Sequence, residues 1–258
     1  MSCKSLCRLG WKVCLCLMLA ECFVLGAEPL NVRVCIKAVN GHAIYSTNGA
    51  TFGPLTPGNY QASAGLALTT DTASTVDFIL LDSGTALRLM PDSSITFTRL
   101  SKLPVGEQVV SDTTMKIVKG SVIGVQRKLA VPSHFEVVMP GSTATIVGTE
   151  YIINASGAVT VLSGEVSINY NLPHNRGSVN VTIPQGYTFD PATDTVVPTK
   201  PSYLQNIVDD INTVRENAQT FRVNGATIVV RPEEESPDRD HDHDDEGHGN
   251  GGDGGDRH

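Results

Sequence analysis

The chain is poor in the residues that cross-link and stack. Five of its six cysteines, Cys3, Cys7, Cys14, Cys16 and Cys22, crowd the first 22 residues, and only Cys35 lies beyond them. One cysteine cannot close an intramolecular disulfide, so the body must be stabilised by its apolar core. Cys35 sits in the apolar stretch NVRVCIKAV and is expected to be a small buried hydrophobe, not a reactive thiol. Aromatic residues are 5% of the chain, and the single tryptophan is Trp11. Basic clusters are missing as well. The formal net charge is −8, but residues 233–258 hold 11 acidic and 2 basic residues, so residues 1–232 sum to +1. A near-neutral body has no electrostatic footprint for nucleic acid, and no nucleic-acid partner is expected.

Residue sets that perform catalysis are also lacking. Outside the C-terminal tail the histidines are His42, His134 and His174, in separate strand or loop contexts, and neither HExxH nor GxSxG occurs. The stretch from Gly120 to Gly124 (GSVIG) has no following lysine and no helix, so it fails as a phosphate loop. Asp82, Glu136, Glu150 and Glu165 lie beside turns or on polar strand faces, where solvated charges belong. Nothing pairs any two of them as glycoside hydrolysis would require. The expectation is a protein that is not an enzyme and has no cofactor.

What is present begins with Lys4, Arg8 and Lys12, an apolar run from Val13 to Leu25, and small residues at Gly26 and Ala27. That order is a secretory signal peptide. The run is shorter than the roughly 20 residues of a spanning helix and is interrupted by Glu21. Cleavage, export and no membrane span in the mature protein are therefore expected. Cys22 lacks the small preceding residue that lipid attachment wants, because position 21 is Glu. From Asn31 to Val230 short β-branched or alternating segments, such as VDFILLD, SSITFT, HFEVVM and EVSINY, are broken every 8 to 12 residues by Gly, Asn, Asp or Pro. This is the pattern of many short strands. Asn40-Gly41, Asn48-Gly49 and Asn224-Gly225 suit type I′ hairpins, and at least two of the three are expected to be such turns. One helix is predicted over 202–220. Ser202 to Gln205 forms a capping box, and Leu204, Ile207, Val208, Ile211 and Val214 fall at helical spacing.

The most specific segment is FEVVMPGSTATIVGTEYII, from Phe135 to Ile153. A Phe-x-Val strand ends at a proline, a second strand follows, and a Gly-Thr pair leads through an aromatic residue into a third. These are Phe135, Val137, Pro140, Gly148, Thr149 and Tyr151. VTVLSGEVSI, turning at Gly164, and IPQGY follow in order. The series resembles the FecR domain, the extracytoplasmic module of bacterial iron-transport regulators and of many other exported proteins, over about Val76 to Phe189. Gly148 is read as supplying a backbone conformation closed to other residues, and Thr149 as hydrogen-bonding locally to hold the turn.

The resemblance implies an all-β domain, a twisted β-solenoid-like unit or a sandwich; periodicity does not separate the two. With the composition it divides the chain into a signal peptide (1–27), an N-terminal β-hairpin region (28–75), a FecR-like β domain (76–190), a helix plus β-hairpin extension (191–232) and a disordered His/Asp/Gly-rich acidic tail (233–258). The implied function is a binding or sensing module of the bacterial envelope, periplasmic or at the cell surface, with an envelope protein or polymer as partner. The alternatives are a structural or surface-assembly component and, less favoured, a hydrolase of envelope polymers. The family's sigma-factor regulators carry a sizeable cytoplasmic segment before their membrane helix, whereas 12 residues precede the apolar run here, so the resemblance leaves a link to sigma-factor signalling open. His241, His243 and His248, interleaved with carboxylates, are weak candidate ligands for a divalent metal. Metal binding by the tail predicts greater zinc uptake by the intact protein than by a version ending at Pro232; equal uptake removes the three histidines.

Overall fold

The computed structural model describes residues 29–172, 177–223 and 226–229. The expected signal peptide, Cys22, His174, Asn224-Gly225 and the tail with His241, His243 and His248 lie outside them. The chain opens with β1 (Val32–Asn40), β2 (Ala43–Ser46), β3 (Gly53–Pro54), β4 (Gly58–Ala62) and β5 (Ala67–Thr70). Next come β6 (Thr75–Leu80), β7 (Thr85–Leu89), β8 (Ser94–Val105), β9 (Gln108–Lys119) and β10 (Ser121–Val125). The family-like segment supplies β11 (His134–Met139), β12 (Ser142–Ile146), β13 (Glu150–Asn154), β14 (Val159–Ser163) and β15 (Glu165–Asn171). The last strands of the body are β16 (Ser178–Pro184), β17 (Tyr187–Asp190) and β18 (Thr195–Pro198).

These strands make two nine-stranded sheets. Sheet I has the order β18-β17-β14-β13-β10-β7-β6-β1-β4 and sheet II the order β16-β15-β12-β11-β9-β8-β5-β2-β3. From β5 onward the chain passes back and forth between the sheets, one or two strands at a time, and each visit adds to the same growing end. The alternatives left open by periodicity are thus both present, because the strand order is that of a solenoid and the packing is that of a sandwich. β9 and β11 pair in parallel because β10 crosses to sheet I between them.

One apolar cluster fills the space between the sheets, with Phe78, Phe97, Phe135, Tyr151 and Phe189 among its largest members. Three edge-on aromatic pairs join the sheets along the body. Tyr45 and Tyr60 have ring centroids 5.4 Å apart near the start, Phe78 and Phe97 are 6.4 Å apart in the middle, and Tyr170 and Phe189 are 5.3 Å apart at the end. Each such pair contributes about 0.5–1.5 kcal/mol beyond its buried area. Strand sequences report which faces are covered. β15 alternates buried and exposed residues, whereas all five residues of β7 are buried, because a helix lies on the other side of sheet I.

Local geometry departs from the sequence reading at three points. Among the described residues only Asp92 and Asp194 combine a side chain with positive φ, so neither Asn40 nor Asn48 adopts the left-handed conformation of a type I′ turn. Asn40-Gly41 is a corner that carries the chain from β1 in sheet I to β2 in sheet II. Asn48 sits in the longer loop between β2 and β3, where its side-chain oxygen accepts the N–H groups of Ala50 and Thr51 at 2.9 and 3.1 Å. Cys35 is half-buried on the outer side of sheet I, opposite in phase to the core residues Val34 and Ile36; burial pushes its thiol pKa up, partly offset by Lys37.

The third departure is at the Gly-Thr turn. Gly148 has a φ of +64°, and a Cβ there would lie 3.2 Å from the backbone of Lys128, which accounts for the glycine. Thr149 does not hold the turn with its hydroxyl. Its backbone carbonyl accepts the N–H of Gln126 at 2.9 Å, while the side chain is buried with Oγ1 unpartnered among the described residues. The side chain is committed to packing: its methyl fills the spot beside Gly164.

Tyr151 follows, directly opposite Gly124 in the β10–β13 ladder. A Cβ on Gly124 would fall 2.2 Å from the ring of Tyr151, so the ring lies over bare backbone. The Tyr151 hydroxyl is buried without a partner among the described residues, and burial pushes its pKa up. Gly124→Ala is expected to cost about 1–3 kcal/mol through overpacking. Tyr151→Phe, which removes the unpaired hydroxyl, is expected to leave stability unchanged or raise it by about 1 kcal/mol. Urea denaturation checks both, and a clear loss in Tyr151→Phe would show that the hydroxyl has a partner.

Candidate functional site

After β18 the chain forms α1 (Pro201–Asn206) and α2 (Val208–Gln219), then the antiparallel pair β19 (Thr220–Val223) and β20 (Ala226–Val229). The predicted single helix is broken at Ile207, whose φ of −123° leaves the helical region. The capping box is not formed. Lys200 is the N-cap, without a side-chain cap, and Pro201 starts the helix with the fixed φ that suits a first turn, leaving Ser202 inside it. Among the described residues no helix is long and apolar enough to cross a membrane.

α2 lies on the outer face of sheet I. Ile211, Val214 and Ala218 bury against Ile79, Ala86, Ile123 and Ile152, which point away from the sandwich core. Two sets of charges frame this patch. Asp77 on β6 and Arg88 on β7 are register partners and form a two-pronged ion pair, with Nε–Oδ1 at 2.7 Å and Nη2–Oδ2 at 2.8 Å. The remaining Arg88 nitrogen reaches Asp210 in the first turn of α2. Hydrogen bonding to Asp77 raises the Arg88 pKa against the opposing effect of burial, so the guanidinium stays charged. On β13, Glu150 accepts Arg215 of α2 at 2.6 Å. Two cations also meet carbonyls at the end of the helix: Arg127, in the loop after β10, donates to the Ala218 carbonyl at 2.9 Å and Lys37 of β1 to that of Thr220 at 3.3 Å.

Because α2 covers only the middle of this face, its C-terminal end stays open as a groove of about 390 Å³. The floor is one straight row across four strands: Ile152 of β13, Thr160 of β14, Thr188 of β17 and Val197 of β18 are successive register partners. Hydroxyls run along it, Thr160 to Thr188 and Thr188 to Thr199, each at 2.9 Å. Lys200 and Tyr203 form the wall at α1; Asn154, Ser156 and Asp190 form the far side. Asn154 and Asp190 each accept one backbone N–H through Oδ1, from Ser156 and Ala192 respectively. Lys200 is exposed, and Tyr203 is 41% exposed with its pKa raised by partial burial. The groove thus offers an apolar and hydroxyl-lined floor with the Lys200 ammonium at one side and the Asp190 carboxylate at the other.

The carboxylates singled out from the sequence do not converge. Asp82, expected to be solvated, has a side chain only 4% exposed. Burial raises its pKa, but the Arg33 backbone N–H at 2.8 Å, Lys102 at 2.9 Å and the Arg33 guanidinium outweigh this and hold it below the ordinary value. It ties β1 of sheet I to β8 of sheet II. Glu150 is likewise not solvated but paired with Arg215, on the face of the molecule opposite to Glu136 and Glu165. Glu136 and Glu165 lie in sheet II on β11 and β15, with β12 between them. His42 contacts Asp71 at 2.9 Å in solvent, and His134 is exposed at the start of β11. Among the described residues no group of three His, Cys, Asp or Glu side chains is placed to hold a metal.

Asp77 and Arg88 were missed from the sequence, although each is the one charge in an otherwise apolar run, VDFIL or ALRL. That is the mark of a buried pair. Asp77→Ala removes both prongs of the Arg88 pair, leaving Asp210 alone to meet it, and is expected to cost about 3–5 kcal/mol. Asp210→Ala leaves the Asp77 pair whole and is expected to cost about 1–2 kcal/mol. Denaturant unfolding of the two variants checks the order, and equal losses would give the Asp210 contact the same weight as the Asp77 pair.

No curated protein matches the chain. Two crystal structures of a "putative anti-sigma factor" from Parabacteroides distasonis are similar at 10% and 11% identity, with TM-scores of 0.39 and 0.37. The matches cover 55% and 52% of this chain and 63% and 59% of those chains, so this chain spans less than two thirds of their length. The family model for FecR protein matches residues 67–167, from the start of β5 through the Phe135 strand and the Gly148-Thr149 turn into β15. That segment is a FecR domain.

Proposed function

We propose that the chain is an exported, non-enzymatic binding or sensing module of the bacterial envelope, and that its partner, an envelope protein or polymer, engages the groove beside α1. The groove carries this reading: its volume of about 390 Å³ is that of a ligand site, with an apolar floor and few polar groups. The N-terminal sequence supports export, and the separation of Glu136, Glu150 and Glu165 over two faces and three strands supports binding without catalysis.

Photo-crosslinking in intact cells tests it. A crosslinking residue at Thr199, at the groove, is expected to capture a discrete partner, and one at Thr145, exposed on the outer side of sheet II, is not. Lys200→Ala and Tyr203→Ala, both at the wall, are expected to weaken capture by about 1–2 kcal/mol each. Equal labelling from both positions, or retention of the protein in the cytosol, would sink the proposal.

A further inference from the structure

Among the described residues β16 ends sheet II and is hydrogen-bonded on one side only, to β15, through seven consecutive residues without a bulge. The other outer strands are shorter: β3 has two residues, β18 has four and ends at Pro198, and β4 has five and begins at Gly58. Proteins usually blunt an edge of this length with lysine, an internal proline, or a bulge, since its free N–H and C=O groups are a template for another strand. β16 has none of these devices. From Gly177 to Gly186 there is no charged residue, and Pro184 stands only at the strand's end.

The strand alternates cleanly. Ile183 is in the inter-sheet core, Val181 packs against it, and Val179, next in that row and opposite Tyr170, is left 39% exposed. Asn180 and Thr182 point to water, with Asn180 bonded to Asn169 at 2.8 Å. This pattern is its own complement. If β16 runs antiparallel to a second β16 about a twofold axis at Val181, Val179 meets the partner's Ile183, and Asn180 meets the partner's Thr182. The twofold stands perpendicular to the sheet, so inner faces stay inner and sheet II continues through both copies. A one-residue slip would set the partner's inner row on the outer side of sheet II, leaving the valine rows unmatched. Two uncharged edges meet without like-charge repulsion, and no foreign charge is called for, which favours a second copy of this chain over an unrelated strand.

We propose that the protein self-associates as a twofold dimer by antiparallel pairing of β16 with β16. The surface is separate from the groove, so either assignment can fail alone.

Sedimentation velocity on the full chain tests it, together with amide exchange. The expected result is a concentration-dependent monomer–dimer equilibrium, with exchange in residues 178–184 slowing as dimer forms. Thr182 is exposed, so Thr182→Lys should leave the fold intact while placing like charges across the pairing; dimerisation is expected to weaken about tenfold. Asn180→Lys, opposite the partner's Thr182, gives a second reading should the first variant unfold. A protein that stays monomeric to about 1 mM, at the weak end of specific association, overturns the proposal. So does a dimer whose dissociation constant neither substitution changes.

Discussion

Ile79, Ala86, Ile123 and Ile152 face away from the space between the sheets, so the sandwich alone cannot bury them. Each isoleucine left in water forfeits about 1.5–3 kcal/mol of burial, a sizeable part of the stability of a single domain. Sheet I therefore needs a second cover, and α2 provides it with Ile211, Val214 and Ala218. Once the helix is in place, Asp77 and Arg88 are cut off from water and must satisfy each other. Their bidentate geometry does so and leaves one guanidinium nitrogen for Asp210. The ion triad follows from covering an apolar face.

The same arrangement positions the groove. α2 lies over β6, β7 and β10, whereas β14, β17 and β18 continue sheet I beyond it. A helix laid across part of a twisted sheet leaves a step at its edge, and here the step is walled by Lys200 and Tyr203 and floored by the Ile152-to-Val197 row. The groove and the open β16 edge both lie at the C-terminal end of the body. A two-sheet solenoid pairs its strands along its length, so only its ends carry unpaired strand edges.

The strand series was readable because each strand is short and closed by a turn residue, and the Phe135-to-Tyr151 signature stands in the structure as strand, proline, strand, Gly-Thr turn and strand. Helix position was legible from Ile207, Ile211 and Val214, though not its break at Ile207 or its proline start. Asn40-Gly41 misled because the positive φ of a glycine serves a corner between sheets as well as a hairpin, and local sequence does not say in which sheet the next strand lies. Thr149 misled in a related way: the pair is conspicuous, but its hydroxyl faces a packed interior where the methyl makes the contact. Asp82 and Glu150 read as solvated because Arg33, Lys102 and Arg215 are distant in sequence.

By itself the sequence determined the all-β character, the FecR signature, the near-neutral body and the helix that follows it, since all of these rest on local periodicity and composition. Tertiary structure alone decided that solenoid and sandwich are one architecture, that Thr160, Thr188 and Thr199 form a line of hydroxyls, and that β16 is an outer strand. Those features depend on which strands become neighbours. Pairing is set by contacts between residues far apart in the chain, and no local pattern records them.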